Sequence, residues 1–146
     1  MCKNRENLCK PVIEKMEPKK EWVEDVYLAT ACKERFLTTS DIPELRQEEI
    51  LMAGMAELID GYHVERLGVE MHSLVFTLEG SGILTTADSI ELIEPFTLLV
   101  IPAHTPFRFE LNPVENYWKM IWILPQASPK WKRLQALGQT ILPYHQ

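Results

Sequence analysis

Between His72 and Leu124 the chain offers little but short β-strands. The runs His72–Glu79, Ile83–Thr86, Ile90–Ile93, Thr97–Ile101, Pro106–Leu111 and Tyr117–Leu124 are separated by Gly80-Ser81-Gly82, Ala87-Asp88-Ser89 and Asn112-Pro113. Short strands at near-regular spacing with turn residues between them predict a mainly β fold, a sandwich or a small barrel. Any site in such a fold is expected inside it.

Alternation assigns faces to these strands. In the first, His72, Leu74, Phe76 and Leu78 share one side against Ser73, Val75, Thr77 and Glu79, and the apolar set is expected to point inward. Thr97–Ile101 is apolar throughout, as a strand covered on both sides would be. Phe107, Phe109 and Leu111 oppose Arg108 and Glu110, while Trp118, Met120, Trp122 and Leu124 oppose Lys119, Ile121 and Ile123. Two rows of large side chains thus face one interior. Upstream, Tyr62–Val69 reads as an edge strand with Val64 and Arg66 on one face.

The flanks are less uniform. Residues 1–20 carry a net charge of +3, which leaves −9 on the remainder. They read either as a flexible leader or as an arm folding over an acidic body. Glu21–Leu37 fits neither period. Leu45–Ile59 has helical spacing at Leu51, Met55 and Leu58, with Pro43 placed to open a helix and Gly61 to close it. After Pro125, Ser128 as N-cap, Pro129 at the first helical position, the stripe Trp131, Leu134 and Leu137, and Gly138 as a left-handed cap predict a short C-terminal helix.

At 146 residues the chain has the length of one domain with a substantial core, and 46% hydrophobic with 25% charged residues is an ordinary globular composition. No apolar run approaches the ~18 residues of a membrane span, and no apolar signal core follows the N-terminus, so an intracellular, cytoplasmic protein is expected. Cys2, Cys9 and Cys32 suit neither a disulfide framework nor a zinc knuckle and read as reduced thiols. A net charge of −6 without a basic stripe argues against gripping nucleic acid.

Little in the sequence signals covalent chemistry. There is no nucleophile elbow, phosphate-cradling loop or paired Cys/His signature, and Gly80-Ser81-Gly82 reads as a tight hairpin connection. His63, His72, His104 and His145 contain no close ligand pair; without a gathering of three, His63 and His145 belong at the surface, His104 in a loop and His72 at a barrel mouth. Arg66 has two readings: an inward guanidinium meeting the oxygens of a ligand, or one lying along the outer sheet. Trp118 and Trp122 are likewise core or stacking platform.

Ile50-Leu51-Met52-Ala53-Gly54-Met55, Gly61-Tyr62-His63-Val64-Glu65-Arg66, Leu78-Glu79-Gly80-Ser81-Gly82, Leu98-Leu99-Val100-Ile101-Pro102 and Tyr117-Trp118-Lys119-Met120-Ile121-Trp122 occur in that order. This ordered set, over about residues 48–137, resembles the N-terminal effector-binding domain of AraC-type transcription regulators, especially the arabinose-responsive kind. The resemblance implies a cupin-like double-stranded β-barrel, or jelly roll, over 21–137, with residues 1–20 as an arm and 138–146 as a tail. It also implies a strand over Ile50–Glu57, against the helical periodicity.

What the resemblance implies for function is effector binding inside the barrel. The family's arginine falls on Arg66 and its stacking tryptophan on Trp122. Its polar contacts are replaced by Ala56, Phe109 and Met120, so the expected effector is less hydroxylated than arabinose, with an anionic or carbonyl group at Arg66 and an apolar body against Phe76, Phe109, Met120 and Trp122. The metal ligands of metal-dependent cupins fall on Leu67, Val69, Ser73 and Phe107, so neither metal, other cofactor nor enzymatic activity is expected. The paired helix-turn-helix domain of such regulators does not follow within 146 residues, consistent with an excised sensor domain or a stand-alone relative. The alternatives are a stand-alone cupin enzyme acting on a small sugar or acid, and a dimerisation module without a ligand. A homodimer is the one macromolecular partnership these readings allow.

Overall fold

A computed structural model of the chain describes residues 13–143. Eleven strands run in order: β1 Asp25–Tyr27, β2 Lys33–Thr38, β3 Ile50–Leu58, β4 His63–Arg66, β5 Ser73–Gly80, β6 Gly82–Thr85, β7 Ile90–Ile93, β8 Thr97–Ile101, β9 Phe107–Leu111, β10 Trp118–Pro125 and β11 Thr140–Pro143. A short helix, α1 Pro43–Gln47, precedes β3, and a 3-10 turn at Pro129–Trp131 leads into α2 Lys132–Leu137. The strands form two antiparallel sheets, ordered β1-β4-β9-β6-β7 and β11-β8-β5-β10-β3-β2. The mainly β, jelly-roll expectation is met, and no helix among the described residues is long and apolar enough to cross a membrane.

The sheets close on a core that includes Leu58, Leu84, Leu99, Ile101 and Trp118. Trp118 is fully buried, and its indole N–H donates to the Thr77 hydroxyl at 3.0 Å. A Cβ on Gly82 would lie 2.4 Å from that indole, so the bare backbone of β6 lets the second sheet approach the ring. Gly80, at φ +71, sits where a Cβ would meet the Tyr117 carbonyl at 1.9 Å.

Several sequence expectations need correction here. Gly80-Ser81-Gly82 is a corner that carries the chain from β5 in one sheet to β6 in the other, not a hairpin. Ser81 N–H donates to the Tyr117 carbonyl, and the Asn112 amide donates to the Ser81 hydroxyl. The helical reading of Leu45–Ile59 holds only for α1, where Pro43 occupies the first turn; Glu49, at φ 55, turns the chain into β3, the strand that the resemblance implied over Ile50–Glu57. There, pairing with β10 and β2 on either side outweighs helix propensity. Leu74, Phe76 and Leu78 face outward, with Phe76 edge-on to Phe96, while Ser73, Val75 and Thr77 are buried within. The pattern misled because this sheet is apolar on both faces.

The C-terminal element starts at Ser128 and Pro129 as expected, and Gly138 takes φ 73, but the Ser128 hydroxyl caps no N–H. The Trp131 indole N–H donates to the Glu48 carbonyl at 2.8 Å. Residues 140–143, within the expected tail, add β11 to the edge of β8. Of the leader, residues 1–12 lie outside the described part, whereas Lys19 N–H donates to the Thr86 carbonyl.

That segment is fastened to the outer face of the five-stranded sheet by Glu65, which is only 1% exposed. Its carboxylate accepts from the Val23 N–H at 2.9 Å and pairs with Lys19 at 3.1 Å and Arg108 at 3.2 Å. Burial alone would raise its pKa, but these three donors together hold it below 4.5. The stability Glu65 contributes is therefore complete above about pH 4.5 and lost as pH falls through its lower folded value. Glu65→Ala removes the acceptor shared by the Val23 N–H, Lys19 and Arg108, leaving Arg108 with Glu110 at 2.7 Å, and should cost about 1–3 kcal/mol in urea unfolding at pH 7; a loss below about 0.5 kcal/mol would show the cluster to be dispensable.

Candidate functional site: a hollow between the sheets

At the end of the barrel away from Trp118 the sheets diverge around a cavity of about 440 Å³. The turn at Asp60-Gly61 helps to shape it. Both residues have positive φ, 56° and 86°, which suits an Asp-Gly pair and swings the chain from β3 in one sheet to β4 in the other. Tyr62 follows at once, with its carbonyl accepting from the Leu111 N–H. Val64 and Arg66 alternate inward along β4, Phe107 and Phe109 along β9, and Met120, Trp122 and Leu124 along β10. Val75 lies in the floor, and Glu34 and Phe36 approach from β2.

Arg66, Phe109, Met120 and Trp122, widely separated in sequence, thus line one space. The other two residues expected there do not. Ala56 is buried on β3 directly opposite Met120, in the core beside the cavity, and Phe76 is on the outer face of β5. Glu34, Phe36, Tyr62 and Ser73 line the cavity without having been singled out. For Glu34 and Phe36 the signal was present as the alternation of Lys33–Thr38, masked by an irregular segment before it.

Packing holds Trp122 on Gly54 and Phe36. A Cβ at Gly54 would come within 2.5 Å of the indole and 2.7 Å of the Arg35 carbonyl, and the Phe36 ring meets Trp122 edge-on at 5.7 Å. Tyr62 stacks near Phe109 with centroids 6.2 Å apart. The hollow is therefore walled largely by aromatic rings, of which Tyr62 and Phe109 are buried, Trp122 is half-buried and Phe36 is exposed at the rim.

The polar groups are few. Arg66 Nη1 donates to Glu24 Oε2 at 3.0 Å, and Glu24 Oε1 accepts from the Leu67 N–H at 2.8 Å. Those two contacts hold the Glu24 carboxyl below its ordinary pKa, the Leu67 N–H most and Arg66 next. Arg66 thus already has an anion. Glu34 has neither hydrogen bond nor ion pair among the described residues, and loss of hydration pushes its pKa up. The Tyr62 phenol is pushed far above its usual value, by burial first and then by the negative charge of Glu34.

Metal ligands are not gathered here. Val69, Ser73 and Phe107 line the cavity, Leu67 is exposed, and no three His, Cys, Asp or Glu side chains converge among the described residues. These residues do not fit a metal ion. His63 is bound to Asp25 at 2.9 Å, His104 is exposed in a loop, and His145 lies outside the described residues.

Neither a family model nor a curated protein matches the sequence. Solved structures do. Oxalate decarboxylase of Bacillus subtilis superposes with a TM-score of 0.54 at 13% identity, over 77% of this chain and 31% of that one. The protein Ylba of E. coli gives 0.55 at 11% identity, over 73% and 43%. A cupin-superfamily protein of Desulfitobacterium hafniense gives 0.52 at 18%, over 75% and 94%. The chain has the cupin fold. It spans about a third of the oxalate decarboxylase chain and under half of Ylba. The expected kinship with AraC-type regulators is overturned: these structural neighbours are cupin-superfamily proteins, not such regulators, and no family model supports the link. The motifs behind that resemblance lie in β3, β4, the β5–β6 corner, β8 and β10.

One histidine of this fold is a titrating structural part. His72 is 1% exposed, and its Nδ1 accepts from the Ala103 N–H at 2.9 Å, a bond that protonation destroys. Desolvation, then the neighbouring His104, depresses its pKa below 6.5. Its contribution is full above pH 6.5 and declines as pH falls through that value, with a limiting slope of about 1.4 kcal/mol per pH unit. Urea unfolding at pH 7.5 and 5.5 should show an acid loss in wild type that His72→Asn, which keeps an acceptor but cannot titrate, largely removes.

Proposed function

We propose that this cupin binds a small organic molecule in the hollow, held by side chains and not by a metal. The observation that carries the reading is the open-mouthed hollow itself. Pockets of roughly 300–1,000 Å³ with mostly apolar and aromatic walls and a few convergent polar groups are the usual form of small-molecule sites. About 440 Å³, rimmed by Phe36, Tyr62, Phe109 and Trp122, with Glu34, Arg66, the Tyr62 and Ser73 hydroxyls and the Trp122 indole N–H as its side-chain polar groups, has that form. The ligand's body is apolar, because most of what it would touch is.

A second reading, a metal-free cupin enzyme, draws support from one pair. A carboxyl with a raised pKa beside a phenol is suited to moving a proton, and Glu34 and Tyr62 face the same space. On that reading Glu34 is the base and Tyr62 the donor to a developing oxyanion. Product formation from a bound ligand, abolished in Glu34→Gln, separates enzyme from binder.

Binding is tested by ligand-observed NMR against a library of small aromatic compounds. Val69 is a partly exposed lining residue after β4, so Val69→Trp fills the space with little disturbance to the core. Compounds that bind wild type should lose at least about tenfold in affinity to Val69→Trp, and EDTA should leave their binding unchanged. Binding indifferent to Val69→Trp, or abolished by EDTA, would overturn the reading.

A further inference from the structure

We infer that the hollow selects an organic cation, an ammonium group on an aromatic or aliphatic body, seated on the Glu34 carboxylate. The inference rests on the small-molecule reading above and names the class of ligand.

Charge balance decides it. The lining holds one carboxylate and one guanidinium, and they are not equivalent. Arg66 is matched at 3.0 Å by Glu24, which is anchored in turn on the Leu67 N–H. Glu34 is matched by nothing among the described residues, and its chain neighbours Lys33 and Arg35 alternate to the other face of β2. The free charge presented to a guest is therefore negative. A half-buried, partly dehydrated carboxylate lacks part of its complement of hydrogen-bond donors, and an ammonium supplies three together with the opposite charge.

The walls favour the same guest. Phe36, Tyr62 and Trp122 line the cavity with Glu34, and the ring faces of aromatic residues attract a cation within about 6 Å. The Tyr62 oxygen, which has no hydrogen-bond partner among the described residues, is a further acceptor for an N–H. An anionic guest would meet Glu34 unfavourably and would share Arg66 with the carboxylate of Glu24. A polyhydroxylated guest would find too few polar partners to replace its water.

Phenethylamine, 2-phenylethanol and 3-phenylpropanoate share a body and differ in headgroup charge, so they isolate the effect. Titrated at pH 7 into wild type, Glu34→Gln and Val69→Trp, with binding followed by ligand-observed NMR, the amine should bind wild type at least about tenfold more tightly than the alcohol or the carboxylate. Glu34→Gln should erase that preference while leaving the alcohol's affinity in place. Alcohol or carboxylate binding as well as the amine, and being blocked by Val69→Trp, would overturn the cation inference and leave the binding site standing. Failure of all three to bind wild type would overturn both.

Discussion

The indole of Trp118 is the keystone of this barrel. It is fully buried between the two sheets, donates to Thr77 within its own sheet, and lies on the bare Gly82 of the other. Tyr62 and Phe109 meet it edge-on at 6.3 and 5.7 Å. From that closed end the inward residues of β10 become progressively less covered: Trp118 and Met120 are buried, while Trp122 and Leu124 are only partly so. One strand therefore runs from solid core to open space. The hollow exists because packing is completed at one end of the sandwich and withheld at the other, where aromatic rings edge a gap that no side chain fills.

Electrostatics divides along the same lines. Glu65 and Arg66 are adjacent on β4 and point to opposite faces. Glu65 is dehydrated on the outside and fully matched by Val23, Lys19 and Arg108, so it fastens the N-terminal segment to the sheet. Arg66 lines the cavity and is matched by Glu24 of that same segment. The segment from Lys19 to Tyr27 therefore does two jobs: it clasps the outer sheet through Glu65 and neutralises the one cation of the hollow. What remains unmatched, Glu34, sits on a different strand and a different sheet.

The strands from Ser73 to Leu124 were legible in the sequence nearly residue by residue, because turn residues bound them and their alternation is regular. Phe109, Met120 and Trp122 were placed inward correctly for the same reason. Phe76 was not: Leu74, Phe76 and Leu78 form the larger apolar row, yet the smaller row of Ser73, Val75 and Thr77 faces in, since the interior there is already occupied by Trp118 and Met120. Ala56 sits on the correct face but too deep to reach the cavity. The strand at Ile50–Leu58 contradicts its own helical spacing, as a strand held between two neighbours can. Glu34 escaped notice because nothing local marks it. Its importance arises from what fails to pair with it in three dimensions.

Gly54 bears on how such a cavity acquires its dimensions. The indole of Trp122 rests against this residue at a distance that leaves no place for even a methyl group. Any side chain there would have to shove the ring toward the opposite sheet and crowd the Arg35 carbonyl, shrinking the chamber from its wall without changing the identity of a single lining residue. The capacity of the barrel is thus written partly in a missing atom, at a position that an inventory of contact residues would pass over.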